Sequence, residues 1–442
     1  MKNTTLIFRI GLLACSALAA SAHDAAGGRP VRPLAQQHVV LDRSPHPPSV
    51  PLYTPSILRL PEGRLVAACE RGRAWRKLGN PWARIYTSDD GGQSWAFRTA
   101  ARISHGRLFQ AGNALYYLGH DGDLQIMRSD DRGETWTRQA ALTSGQQWHQ
   151  SACNVWHAKG NVYLVMERSR KEIVKSWGVG SLAPVLMRAK ETDDLSKIES
   201  WTFASELFFG DLVPGYKENK PQLTGFGVPF FSQAYPEAKD IGNHRKMAPI
   251  GWLEANVVQI TDPNHYWHDP THCTFHLFMR AHTGGTGYAA LAKVVENKDG
   301  TMTTSLVTVP SGQAMLFLPF PGGQMRFHVL YDEKTKLYWL LGSQATDSMS
   351  RVETLHPDRY DLPNNERHRL VLHFSKNMVD WCFAGLVAAG AGYKESRHYA
   401  AMDIDGDDLV ILSRSGDENA RTAHDGNLIT FHRVRNFRDL VY

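Results

Sequence analysis

From about residue 38 onward the chain alternates short, mainly apolar runs with polar turns rich in Gly, Asp and Pro. Runs of this length, bounded by turn residues, predict strands rather than helices. They fall into groups of four. The first group covers 55–60, 64–70, 83–87 and 95–99, and the second 106–110, 114–118, 124–128 and 136–139. The third covers 152–157, 161–167, 184–189 and 201–204, and the fourth 254–260, 274–281, 288–295 and 303–309. The fifth covers 325–331, 338–343, 369–374 and 381–386. A sixth group has only three members near the C-terminus, 399–404, 409–413 and 428–434, and the run 38–41 is available to complete it. Sheets that recur with this regularity and close through the two chain ends predict an all-β, six-bladed β-propeller. Segment 205–250, rich in Gly, Pro and aromatics, is an insertion in this scheme, or room for a seventh blade.

Two of the turns share a pattern. Ser88-Asp89-Asp90-Gly91-Gly92-Gln93-Ser94-Trp95 and Ser129-Asp130-Asp131-Arg132-Gly133-Glu134-Thr135-Trp136 both read S-x-D-x-G-x-[ST]-W. Asp and Gly provide the side-chain acceptor and backbone freedom of a tight turn, and Trp folds back to bury a large area. Decayed copies run from Thr192-Asp193-Asp194 to Ser200-Trp201 and from Ser375-Lys376-Asn377 to Asp380-Trp381.

The N-terminus changes the compartment. Lys2 and Arg9 precede an apolar stretch, Ile10 to Ala20, and Ala20-Ser21-Ala22 has the small residues of a cleavage site. This predicts a signal peptide at 1–22, a linker at 23–37 and a single propeller domain at 38–442, secreted or periplasmic. The stretch is too short to span a membrane; Leu12-Leu13-Ala14-Cys15 also resembles a lipoprotein box. Cys69, Cys153, Cys273 and Cys382 are widely spaced and read as free thiols rather than a disulfide framework or zinc site. The net charge of +5 comes from scattered basic residues, which suits an anionic substrate and gives no nucleic-acid-binding stripe.

The repeated turns resemble the Asp-box repeat of the sialidase-like propellers. That resemblance covers most of the chain after residue 38. It implies an arginine cluster for a substrate carboxylate, a Tyr nucleophile paired with Glu, and a carboxylic acid/base. Trp252-Leu253-Glu254-Ala255-Asn256 resembles the strand bearing the Glu, and His398-Tyr399-Ala400-Ala401 the strand bearing the Tyr. Arg280, closing Phe278-Met279-Arg280, and Arg326, after Pro321-Gly322-Gly323, resemble two of the arginines. Two positions depart from the family. The first strand reads Tyr53-Thr54-Pro55-Ser56, without its arginine. The loop expected to carry the acid reads Arg71-Gly72-Arg73-Ala74-Trp75-Arg76-Lys77, with cations in place of a carboxylate.

His105 and His149 precede the first strands of successive blades and are expected on one face. That arrangement resembles propeller ulvan lyases, which move protons with His and Tyr while a cation neutralises a uronate. The sequence therefore leaves three expectations. The first is glycosidic cleavage beside an acidic sugar by Glu254 and Tyr399, with His149 or His105 as acid/base and Arg280, Arg326, Arg71, Arg73 and Arg76 as anion binders. The second is β-elimination with His149 as base. The third is a non-catalytic glycan-binding propeller. Each takes an acidic oligosaccharide or polysaccharide and none requires a cofactor. His265, His268, Asp269, His272 and Cys273 have ligand chemistry for a metal but read equally as a polar hairpin.

Overall fold

Six sheets, each with its strands in antiparallel order, form the blades of a β-propeller in the computed structural model. It describes residues 31–149, 152–170, 178–218, 239–242, 245–247, 249–283, 287–348, 350, 354–355 and 366–442. The expected signal peptide lies outside them. Pro33–Tyr442 forms one compact unit. From the axis outward, blade one is Leu52–Arg59, Leu65–Arg71, Ala83–Ser88 and Ala96–Ala101. Blade two is Ser104–Ala111, Ala114–Asp121, Asp123–Ser129 and Ala140–Ala141. Blade three has an interrupted inner strand, Trp148–His149 and Trp156–Ala158, followed by Asn161–Ser169, Leu182–Lys190 and Thr202–Phe203. Blade four is Gly251–Val258, Thr274–His282, Tyr288–Glu296 and Met302–Ser305, with Phe317–Pro319 also on its third strand. Blade five is His328–Asp332, Leu337–Ser343, Arg369–Ser375 and Cys382–Ala389.

Blade six closes the ring. Arg397–Asp405, Asp408–Ser415 and Leu428–Val434 come from the C-terminus, and its outer strand, Val39–Arg43, from the N-terminal side. The pairing Val39 to Phe431 and Arg43 to Leu428 covers what would otherwise be an open edge. The count of six predicted from the strand groups therefore holds. The expected strand at 136–139 does not form: Trp136 turns back so that its indole N–H donates to Gly133 O at 3.1 Å, and pairing resumes at Ala140–Ala141. Of the insertion, 205–218 packs Phe209, Val213 and Tyr216 against Trp252, and Lys239–Gly242 pairs with Arg245–Met247. Residues 219–238 lie outside the described residues.

The two matching turns make the same hydrogen bonds. Ser88 Oγ and Ser129 Oγ each donate to the Asp two residues on at 2.8 Å and accept the N–H of Gly92 or Gly133 at 2.9 Å. Asp90 accepts the N–H and hydroxyl of Ser94, and Asp131 those of Thr135. These turns also fasten neighbours. Arg433 of blade six donates to Gly91 O, Arg64 of blade one to Arg132 O and Glu134, and Arg128 of blade two to Asp194.

Gly92 and Gly133 hold φ of +92° and +85°, a region that strains any residue with a Cβ. A Cβ on Gly92 would lie 2.2 Å from Phe431, which is buried against Trp95, whereas one on Gly133 would come no nearer than 3.3 Å to Thr87. Gly133→Ala is expected to cost about 1–2 kcal/mol from backbone strain. Gly92→Ala is expected to cost about 3 kcal/mol or more, since overpacking at the closing interface is added. Equal shifts in the thermal unfolding midpoints of the two variants would contradict this.

Candidate active site

The inner strands do not run straight to the end of the channel. Four of them carry a bulge at which a non-glycine residue takes positive φ: Thr54 at 47°, His105 at 51°, Glu254 at 61° and Tyr399 at 53°. Each such residue costs about 1 kcal/mol or more, and bulges commonly re-aim side chains near functional sites. Opposite the residue before each bulge, the second strand places a polar side chain. The pairs are Tyr53 with Glu70, Ser104 with His120, Leu253 with Arg280 and His398 with Arg414. In blade three, His149 pairs with Glu167 in the same way. Strand alternation puts this end of the channel opposite the Ser–Asp–Trp turns.

Blades four and six meet at Tyr399. Its hydroxyl donates to Glu254 Oε1 at 2.5 Å and accepts from Arg280 Nη1 at 2.6 Å. The same guanidinium lies 3.4 Å from Glu254 Oε2 and is fixed by donation from Nε to Gln324 O at 2.9 Å. Burial pushes the Tyr399 phenol up to about 12; Arg280 pulls it down, and Glu254 adds to the rise. Tyr399 is thus a neutral phenol near neutral pH, with a carboxylate positioned to take its proton. Four guanidinium carbons, of Arg280, Arg326, Arg367 and Arg414, lie 5.3–5.9 Å from its ring centroid. Arg367 also hydrogen-bonds His398 Nδ1 at 3.1 Å, and Arg414 reaches the His424 carbonyl. Burial, then Arg367 and Arg414, hold His398 well below its ordinary value.

Glu167 couples this centre to blade three. It accepts the backbone N–H of Glu254 on one oxygen and bonds His149 Nδ1 at 2.9 Å on the other. Burial works against the charged imidazole of His149, but Glu167 and then Glu254 outweigh it and raise its pKa. The His149 side chain keeps 25% of its exposure while Glu167 keeps 1%, so the imidazole is the accessible end of the pair. His105 lies beside it, with ring centroids 5.0 Å apart, and bonds His120 at 3.0 Å. Burial, His149 and His120 hold His105 far below its ordinary value, and His120 falls to about 3. His149 alone among these three is biased toward the protonated form.

The arginines of the first-blade loop are engaged in ion pairs. Arg71 grips Asp42 at 2.7 and 3.1 Å, tying blade one to the closing strand. Arg73 pairs with Asp425, which also accepts from Tyr53 at 2.8 Å. Arg76 pairs with Glu70 and lies 4.8 Å over Trp82. Arg326 is buried beneath Tyr399, donating to the carbonyls of Tyr399 and Ala400 at 2.5 and 2.9 Å. It positions the tyrosine's backbone. In the histidine-rich hairpin, Asp269 accepts from Thr271, Cys273 and Thr274, and His265 meets Asn377 O. Among the described residues no group of three or more His, Cys, Asp or Glu is arranged to hold a metal ion.

Sequence reasoning passed over Glu70, His120, Glu167, Arg367 and Arg414. Glu70 is the nearest: it immediately precedes the cationic loop searched for an acid. It is fully buried, with its pKa raised by burial, and it accepts His105 N–H at 2.5 Å. A signal was available, because Glu70, Glu167, Arg280 and Arg414 all end apolar second strands, and Arg280 alone was read that way.

No known family model and no curated protein matches the sequence. Solved structures do. Trypanosoma rangeli sialidase in complex with sialic acid is 14% identical, with a TM-score of 0.50 over 93% of this chain. The chain spans 60% of that sialidase's length. A protein of Dyadobacter fermentans is 11% identical with a TM-score of 0.50, covering 92% of this chain and 99% of its own. Penicillium chrysogenum α-L-arabinanase is 12% identical with a TM-score of 0.48, covering 92% and 100%. At these identities the two matches with a TM-score of 0.50 establish the propeller architecture alone.

Because Glu167 raises His149, Glu167→Gln should lower the imidazole's pKa while keeping an acceptor for Glu254 N–H. The stability held by the charged pair is full below the unfolded value near 6.5 and is lost as pH rises through the raised folded value. NMR titration of labelled histidine, with the His149 resonance assigned by its loss in His149→Gln, checks the direction. An unmoved or raised titration in Glu167→Gln would refute the assignment of cause.

Proposed function

We propose that the protein is an exported glycoside hydrolase that cleaves a glycosidic bond beside an acidic sugar. The observation that carries this reading is the contact of the Tyr399 hydroxyl with both Glu254 and Arg280, with the guanidiniums of Arg367 and Arg414 also beside its ring. Guanidiniums match carboxylate geometry, which supports an acidic substrate. A phenol is also a fitting nucleophile there. A carboxylate attacking a carbon next to the substrate's own carboxylate would meet like-charge repulsion, which a neutral phenol avoids.

In the first step Tyr399 Oη attacks the anomeric carbon and its proton passes to Glu254. The bond to the leaving oxygen breaks, and protonated His149 supplies the proton that oxygen needs. In the second step neutral His149 takes a proton from water, whose oxygen displaces the tyrosyl oxygen. Tyr399 recovers its proton from Glu254. Two displacements retain the anomeric configuration. The structure of Trypanosoma rangeli sialidase with 2,3-difluorosialic acid, named as a covalent intermediate, supports extending such chemistry to this fold.

The raised pKa of His149 favours an acid over a base as the resting form, and so hydrolysis over elimination. The purified protein is to be screened on sialylated and uronate-containing glycans, with products read by mass and ultraviolet absorbance. Addition of one water per cleavage and retained configuration are expected. Unsaturated, ultraviolet-absorbing products would overturn hydrolysis in favour of elimination. Tyr399→Phe and Glu254→Gln should each lower kcat by about a thousandfold or more with the fold intact. Undiminished turnover in either would remove that residue from the chemistry, and binding without turnover on any glycan would leave a lectin-like propeller.

A further inference from the structure

On the face opposite Tyr399, where the inner strands end, the channel opens into a cavity of about 580 Å³. That volume is ordinary for a small-molecule site. Its charged lining is uneven, with Asp403, Glu191 and Glu333 set against Arg59. Arg59 is committed outside the cavity, donating to Asp405 and to Pro61 O, each at 3.1 Å. Glu191 bonds His157 at 2.8 Å, and Glu333 the exposed Lys336 at 2.7 Å. Asp403 accepts only backbone N–H groups, from Arg59 at 2.7 Å and Ile404 at 2.8 Å, and forms no ion pair among the described residues. Burial raises its pKa to about 6. Two partly exposed aromatic rings line the same cavity: Trp156 and Tyr331, with centroids 5.9 Å apart and planes inclined at 42°. Further in, His328 is 8% exposed and its Nδ1 has no hydrogen-bond partner among the described residues. Burial, then Arg326 and Arg107, keep it neutral by lowering it to about 3.

A carboxylate drawn out of water without a cation is costly. Aromatic faces attract cations, so the rings and the carboxylates favour the same kind of guest. An anion would meet the lining carboxylates. A bare metal ion lacks ligands, since no group of three or more His, Cys, Asp or Glu is arranged for one among the described residues. An uncharged sugar would stack on the rings but leave Asp403 unmatched. An organic ammonium meets each condition: it donates N–H groups, supplies positive charge and carries an apolar frame, and the neutral His328 does not repel it. We propose that this cavity binds a small primary ammonium, on an amino sugar or a polyamine, with its nitrogen on Asp403 and its carbon frame against Trp156 and Tyr331. The site lies at the other end of the channel from Tyr399, so the inference does not rest on the hydrolytic reading.

The test is isothermal titration calorimetry on the whole protein with glucosamine, putrescine, glucose and N-acetylglucosamine, at constant ionic strength. Neutral pH keeps Asp403 mainly ionised and the amines mainly charged. Both amines are expected to bind one to one, and the two uncharged sugars at least about tenfold more weakly. Tighter binding of glucosamine assigns an amino sugar, and tighter binding of putrescine a polyamine. Asp403→Asn keeps an acceptor for Arg59 N–H and should weaken amine binding by about tenfold or more. Should that variant fail to fold, difference density for the amine between Asp403 and Trp156, in crystals of the unaltered protein, decides. No amine binding, equal binding of the uncharged sugars, or unchanged affinity in folded Asp403→Asn would overturn the proposal whatever the protein's activity proves to be.

Discussion

The inner strands of a propeller are sheet edges turned toward one another, and their outward backbone groups need partners. Here every interface between neighbouring blades provides one from a side chain. Ser56 accepts Leu108 N–H, and Arg107 donates to Asn154 and Val165 carbonyls. Asn154 bonds both backbone groups of Val257, and Asn256 bonds Val329 N–H and Phe327 O. Arg326 donates to Tyr399 and Ala400, and Asp403 accepts Arg59 N–H to complete the circle. Remove this circle and each inner strand keeps unpaired edge groups in a buried channel. The apolar cores between blades hold the sheets face to face, but these polar contacts fix where each inner strand lies along the axis.

The arrangement around Tyr399 follows from that placement. With the strands fixed, a bulge near the same end of several of them turns His105, Glu254 and Tyr399 out of the ladder, each at positive φ. The second strands then supply Glu70, His120, Glu167, Arg280 and Arg414 from one register position. Tyr399 and Glu254, 145 residues apart, come within 2.5 Å because both sit on bulges held by neighbours on the ring. The two carboxylates Glu70 and Glu167 do one job: each accepts the backbone N–H of the bulge residue in the following blade. Strain at the bulges is thereby offset by charge-assisted hydrogen bonds.

The blades were legible in the sequence because a blade is a local object. Alternating apolar runs and the Ser–Asp–Gly–Trp turns lie within some forty residues of one another, and both carry strong propensity signals. The closing strand was legible because an incomplete sixth group needed a fourth member. Glu254, Arg280 and Tyr399 were reached through polar residues in apolar strands. What stayed hidden was pairing across blades. Nothing in Arg326 as a sequence position separates a substrate-binding arginine from one that holds two backbone carbonyls. Nothing in Arg71 foretells Asp42, whose strand belongs to the opposite end of the blade order. Glu70 and Arg414 carry the same signal as Arg280, a charge ending an apolar second strand, but their place opposite the bulges is a tertiary property that the sequence does not display.

The reading of Tyr399 as nucleophile is the claim on which the rest of the chemistry hangs. In an acidic sugar carrying fluorine at the anomeric carbon and at its neighbour, the neighbouring fluorine slows both steps, while the anomeric fluoride is a good leaving group that restores the first, so the tyrosyl adduct accumulates. Incubation with such a sugar, followed by protease digestion and peptide mass analysis, should find one glycosyl unit on the peptide containing Tyr399, absent from Tyr399→Phe. Turnover of acidic glycans with inverted configuration, and with no adduct on that peptide, would contradict it.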